Sequence, residues 1–290
     1  MGQKDLRGKL LEDYEDVFSD IFNVLLFGKK VIREQYLMEG STESIYKAES
    51  GFYRGQLRDI LKRYRDSCLL ELGSLGIENQ STTDDYMAVR IMGYDYAYYR
   101  SQIDRKVYPL IPIITIVLNF SDKQWAKKKS IHSITKIPAE FKPFIQDYEI
   151  KVFDIAFLED EIIERFESDF RLVARFFKDK RAGNLEFSKE DKITHCEEFL
   201  DFLAVFTSDK RYLEIKQELM KKEKEGENIT MCSIAQALEE KGIQQGIQQG
   251  IQEERLIRIQ IMMSKGYSKE EILEIGYTEQ EYDSVGKTHC

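Results

Sequence analysis

Glu78 and Gln80 stand two residues apart at the end of the apolar run LELGSLGIENQ. Strand side chains alternate between faces, so both project to the same side, about 7 Å apart along the strand. A third polar residue, Asp59, precedes Glu78 by 19 positions (78 − 59) within the extended run QLRDILKRY. If the two runs pair as a hairpin, one carboxylate from each strand reaches a common point. Two hard carboxylates, water and a substrate phosphate are ordinary surroundings for magnesium, which takes only one or two protein carboxylates and keeps several waters. Such an ion polarises a phosphoryl oxygen and lowers the pKa of an attacking water, the chemistry of phosphodiester hydrolysis. Gln80 would orient that water or the scissile phosphate, but as a neutral amide it cannot supply the charge of a lysine. The expected site is therefore Asp59, Glu78 and Gln80, with Asp59 and Glu78 as ligands of Mg2+ or another divalent cation.

Other residues compete for a place in it. Asp66 could replace Asp59, yet it lies in the polar stretch Arg65 to Ser67, where aspartate is favoured for local hydrogen bonding, so Asp59 is preferred. Asp20, in FSDIFN, either faces the same site as an additional acid or is a solvated helix residue. Arg90 either contacts a phosphate or a site carboxylate, or makes a plain surface ion pair. Lys127, Lys128 and Lys129 beside Trp125 combine charge with a ring, a modest form of a DNA-binding patch, although three loop lysines also suit simple solvation. The tyrosines of YDYAYY at 94–99 read as packing. His132, His195 and His289 are too dispersed for a metal site or a histidine-driven nucleophile. No GxxxxGK[ST] or GxGxxG occurs, so nucleotide hydrolysis and dinucleotide chemistry have no support.

The elements that must position these residues follow from periodicity. Residues 9–27 carry apolar side chains at helical spacing and end at Gly28. From 56 to 77, QLRDILKRY and CLLELGSLGI read as a hairpin joined by the RDS turn. Residues 84–105 are helical, and Ile113 to Val117 form a β-branched run that suits a central strand. Residues 148–157 alternate as another strand. Helix, hairpin, helix, strand, strand is an α/β layer sandwich. From about 158 the period becomes 3.6, and a helical portion is expected through 225. The tail from 226 repeats a four-residue unit, with Ile243, Ile247 and Ile251 on one drifting face and Gly242, Gly246 and Gly250 on a neighbouring one. Each interior glycine costs a helix about 1 kcal/mol, so this stretch is not expected to hold helix alone. A closely packed partner helix would explain it, and so would a flexible low-complexity spacer. Ser268 with Glu271 and Thr278 with Glu281 form capping-box patterns that open two short helices, read as a protein–protein module.

A chain of 290 residues can bury an ordinary core. Its four cysteines, Cys68, Cys196, Cys232 and Cys290, are widely spaced and read as reduced thiols of a cytoplasmic protein. The N-terminus turns charged at once, and no segment approaches the roughly 18 apolar residues of a membrane span. A formal net charge of −9 argues against coating nucleic acid through bulk positive charge, while leaving room for a local basic groove.

The segments FSDIFNVLLFG, QLRDILK, LGIENQS, DYMAVRIMGYDYAYYR, PIITIVLNF and FKPFIQDYEIKVFDIAFL, over residues 9–180, resemble the Rpn family of recombination-promoting nucleases, often labelled transposases, within the PD-(D/E)XK nuclease superfamily. The repeat and the terminal GYSKEEILEI are similar to tails common in that group. The resemblance implies a restriction-endonuclease-like three-layer core with a mixed sheet over residues 1–157, followed by the helical extension 158–225 and the tail 226–290. It implies a divalent metal and DNA cleavage in recombination, mobile-element biology or defence against foreign DNA. It carries the family's acid to Asp59, its glutamate to Glu78, and its glutamine to Gln80, where the superfamily has lysine. ENQ stands where many relatives have EHQ, so a proton-carrying role for the middle position is lost or never mattered. The alternative is a catalytically weak or inactive protein that binds DNA or forms oligomers. A homo-oligomer built through the tail is expected in either case, with no membrane partner.

Overall fold

The computed structural model describes residues 11–40, 43–47, 53–57, 59–68, 70–126, 128–185 and 191–286. Lys127, His289 and Cys290 lie outside them, as does the start of the first helix at residues 9–10. The chain divides into two compact units, Met1–Cys232 and Ser233–Cys290.

The first unit is built on an open five-stranded sheet of order β1-β4-β5-β6-β7. Its strands are β1 (Leu37–Glu39), β4 (Ile60–Arg65), β5 (Glu71–Gln80), β6 (Ile113–Asn119) and β7 (Lys151–Asp154). The first three pair antiparallel, whereas β5, β6 and β7 run parallel, so the sheet is mixed. The predicted hairpin is present, with Ile60 opposite Ile77 and Leu61 opposite Gly76. Its turn is made as the sequence suggests: Asp66 Oδ1 accepts the N–H groups of Cys68 and Leu70 at 2.9 and 2.8 Å. The β-branched run from Ile113 fills the sheet's centre, and Ile116 and Val117 are fully buried. A separate two-stranded sheet, β2 (Glu43–Lys47) with β3 (Tyr53–Leu57), has no counterpart in the sequence reading. Its presence moves Asp59 out of a continuous strand and into the bend before β4.

Helices cover both faces. Helix α1 (Glu15–Phe22) continues as a π-helical turn, Asn23–Phe27, and stops at Gly28, whose φ of +66° is the left-handed conformation that glycine adopts without strain. Lys62, fully buried on β4, ties the start of this helix to the sheet: its Nζ lies 3.9 Å from Glu15 and 3.1 Å from Asp13, and 2.6 Å from Glu39 on β1. On the other face, α2 (Met87–Asp104) buries Met87, Ala88, Ile91 and Tyr94 against Val117, Trp125 and Ile150. The β6–β7 crossover contains the short α3 (Ile131–Ile134). The helical portion follows as α4 (Asp160–Ile163), α5 (Phe170–Ala182), α6 (Cys196–Thr207) and α7 (Arg211–Lys224). It packs on the sheet through Phe120, whose ring lies 4.8 to 6.3 Å from those of Phe170, Phe177, Phe202 and Phe206.

The second unit takes in most of α8 (Met231–Ser264), together with α9 (Lys269–Glu274) and α10 (Glu279–Gly286). Both capping boxes form: the Ser268 N–H meets Glu271 at 2.7 Å, and the Thr278 N–H meets Glu281 at 2.7 Å. Ile259, Ile272 and Val285 make a small core, with Arg255 paired to Glu281 at 2.6 Å. The glycine repeat is helical, against the expectation that it would not hold helix alone. Propagating a helix is far easier than nucleating one, and the α9–α10 cluster fixes the end of α8, which offsets the glycines. Ile243, Ile247 and Ile251 remain 54–58% exposed, and a Cβ built on Gly242, Gly246 or Gly250 meets nothing within 4 Å. Among the described residues no helix is long and apolar enough to cross a membrane.

Candidate active site

The end of β5 sorts its side chains by alternation. Asn79 turns toward the α1 side, and Glu78 and Gln80 toward α2. Glu78 is 1% exposed, and its Oε1 accepts from Arg90 Nη2 at 2.5 Å and from Gln80 Nε2 at 3.5 Å. Arg90 comes from the first turn of α2. Asp84 fixes it, accepting Arg90 Nη1 at 3.0 Å and the Tyr86 N–H at 2.8 Å, so one carboxylate both closes the turn before the helix and aims its cation. Burial works against the Arg90 charge, but the attraction of Glu78 outweighs it and raises the guanidinium pKa above its usual value.

Asp59, 7% exposed, is one step beyond the Ile60–Ile77 pair and therefore opposite Glu78. Its Oδ2 accepts the Asn79 N–H at 2.8 Å, so the backbone just after one acid orients the other. The Tyr94 phenol is pushed up by burial first, then by the charge of Glu78, with a further contribution from Asp59. A single hydroxyl thus feels both carboxylates. Of the three residues expected to act together, Asp59 stands opposite Glu78 in strand register and the Gln80 amide reaches Glu78.

Two members were missed from sequence. Asn79 donates its side-chain amide to Glu12, which is fully buried and whose Oε1 has no hydrogen-bond partner. Burial pushes the Glu12 pKa well above the usual carboxylate range; the Asn79 bond opposes this and the nearby charge of Asp59 adds to it. Glu12 lies in LEDYED, an acidic run that reads as a solvated face, and nothing in it marks one acid as interior. Tyr94 was read as packing alone.

The remaining candidates fall elsewhere. Asp20 sits on α1, where Oδ2 accepts the N–H groups of Glu167 and Ser168 at 2.9 and 2.8 Å and the Ser168 hydroxyl at 2.7 Å. It lines a cleft of about 550 Å³ with Asp16, Lys29, Lys30 and Glu167, apart from Glu78. Asp66 is occupied by its turn. Lys128 is half exposed and pairs with Asp85 in the loop leaving β5, which ties the basic loop to the site; Lys129 is partly buried. Trp125 is 3% exposed in the α2 core, so its ring is not part of a nucleic-acid surface. Its backbone N–H is held at 3.0 Å by Asp154, which also accepts from Asn119 at 2.7 Å.

Among the described residues no group of three or more His, Cys, Asp or Glu side chains is arranged to hold a metal. Asp59 and Glu78 offer two hard oxygen donors from adjacent strands, the number of protein carboxylates that magnesium takes while keeping water, so the donor set fits that ion. Arg90 holds the Glu78 carboxylate.

Residues 75–201 match the model of the family described as "Putative transposase, YhgA-like", a group within the Rpn and PD-(D/E)XK nucleases. The matched span runs from β5 into α6 and includes Glu78 and Gln80 but not Asp59. No curated protein and no solved structure matches the chain.

Proposed function

We propose, from the match of residues 75–201 to the YhgA-like putative transposase model, that this protein is a magnesium-dependent endodeoxyribonuclease acting in recombination, mobile-element biology or defence against foreign DNA. What supports this reading is that Asp59 lies opposite Glu78 on paired strands, with Gln80 reaching Glu78 where β5 ends, beside a loop bearing Lys128. Magnesium, when bound, would supply Lewis acidity toward a phosphoryl oxygen and favour ionisation of an attacking water. Asp59 and Glu78 would hold it. The Asn79 N–H keeps Asp59 oriented, which lowers the reorganisation needed on binding. Gln80 directs its amide toward Glu78 and would align water or the scissile phosphate. Arg90, held between Glu78 and Asp84, would be the cation available to a phosphate oxygen if Glu78 held a metal. The positive charge missing at Gln80 would thereby come from α2. Lys128 and Lys129 would contact the DNA backbone, and the protein would work in the cytoplasm.

The test is conversion of supercoiled plasmid in a divalent-metal series. Wild type is expected to nick or cleave with magnesium, and Asp59→Ala and Glu78→Ala to abolish cleavage while retaining the fold by circular dichroism. No conversion by wild type under any metal would overturn the reading.

The 2.5 Å contact between Glu78 and Arg90 favours a second reading, a weak or inactive relative that binds DNA. Salt-sensitive DNA retention unchanged by either alanine substitution would select it. In both readings the exposed isoleucines of α8 pair with a second copy, the glycines letting the two helices approach closely.

A further inference from the structure

We propose that the tip of the β6–β7 crossover is a stacking surface for unpaired bases, so that the DNA this chain engages carries a single-stranded segment. This rests on the reading of DNA as partner and names the form of DNA. Over the whole crossover, 120–150, the sequence holds six lysines (Lys123, Lys127, Lys128, Lys129, Lys136 and Lys142) and four acids (Asp122, Glu140, Asp147 and Glu149), a local charge of +2 (6 − 4) in a chain of net charge −9. Such an excess is an electrostatic footprint for a polyanion.

The crossover is a built lobe. Its stem is closed by the Ser130–Glu149 bridge, by Ile150 N–H to Lys129 O at 2.8 Å and by Ile131 N–H to Tyr148 O at 3.2 Å. His132 secures the upper stem, its N–H on Asp147 Oδ1 at 2.9 Å and its Nε2 at 2.8 Å from Ile145 O. Trp125 and Ile150 root the stem in the core. At the tip, the chain spends its apolar residues on solvent. Phe141 is 61% and Phe144 84% exposed, and among the described residues these are the phenylalanines left exposed.

Lys136 and Lys142 flank the rings, exposed and, among the described residues, without an ion pair. Lysines alone would serve duplex and single strand alike, because both present phosphates. Exposed ring faces add something only where bases are free to stack on them, and every base has such a face. The Lys128–Asp85 pair joins the base of this lobe to the loop that leaves Gln80.

The experiment measures fluorescence anisotropy of full-length Glu78→Ala protein, without divalent metal, on a labelled oligothymidylate and a labelled duplex of equal length. Adding Phe141→Ala with Phe144→Ala is expected to weaken single-strand binding about tenfold or more, and duplex binding less than about threefold. Lys136→Ala with Lys142→Ala is expected to weaken both and to flatten the salt dependence. Equal losses on the two DNAs, no loss on either, or no single-strand binding by the parent would overturn the proposal; the last is the result if the rings dock a protein. If the alanine pair fails to fold, Phe141→Leu with Phe144→Leu keeps apolar bulk without a ring face and must give the same discrimination. Because the readout is binding by a chain that does not cleave, failure of the nuclease reading and failure of this one are separable.

Discussion

Glu12 and Arg90 make opposite demands on the same few residues, and each gives a measurable sign. Burial keeps the proton on Glu12 to a higher pH in the folded chain than in the unfolded one. The folded state therefore binds more protons between the two pKa values, and stability falls as pH rises through that window, by about 1.4 kcal/mol per pH unit. Below the unfolded value of about 4.3 the penalty is absent. Glu12→Gln keeps an acceptor for Asn79, so it is expected to melt above wild type at pH 8 and level with it near pH 4, in paired thermal scans. An unchanged gap between those pH values would refute a neutral Glu12. Arg90→Met leaves Glu78 buried with its cation gone, a loss of about 1–3 kcal/mol. Its melting point should drop in chelator and recover with added magnesium by more than wild type gains, since the guanidinium no longer competes. The pairing that sets Asp59 opposite Glu78 was legible because a hairpin is a local device with a turn to announce it. Glu12 was not, because only a contact across 67 residues reveals it. The pleat turns the Asn79 side chain away from Glu78 and onto Glu12.

Among the elements, those with local punctuation were readable: Gly28, the Asp66 turn and the two capping boxes all appear where the residues ask for them. The β2–β3 sheet and the burial of Trp125 were not, for both depend on partners supplied by distant segments. Helix α8 lies between these cases. Replacing Gly242, Gly246 and Gly250 with alanine removes about 1 kcal/mol of helix penalty at each, and the space around each is open. Amide exchange across the repeat should slow. The proposed pairing through the glycine face predicts the reverse for assembly: molar mass by light scattering should fall to that of one chain. A triple variant that still assembles would remove the glycines from the interface.

For the whole molecule, the division after Cys232 predicts two melting events. A chain of residues 1–232 should unfold cooperatively on its own, while residues 233–290, with the small Ile259, Ile272 and Val285 core, should melt earlier, as expected for fewer than about 70 residues. Differential scanning calorimetry of full chain and fragments checks this. The sheet's two pairing modes have a further consequence for synthesis. Asp59 meets Glu78 by closing 19 residues (78 − 59), and Arg90 follows after 12 more (90 − 78), whereas the parallel partner Val117 waits for 39 (117 − 78). Short closures form first. Pulse-labelled exchange should find 60–80 protected ahead of 113–119. A nascent chain would then hold its two like charges and their counter-charge within one brief stretch, before the parallel half of the sheet has left the ribosome.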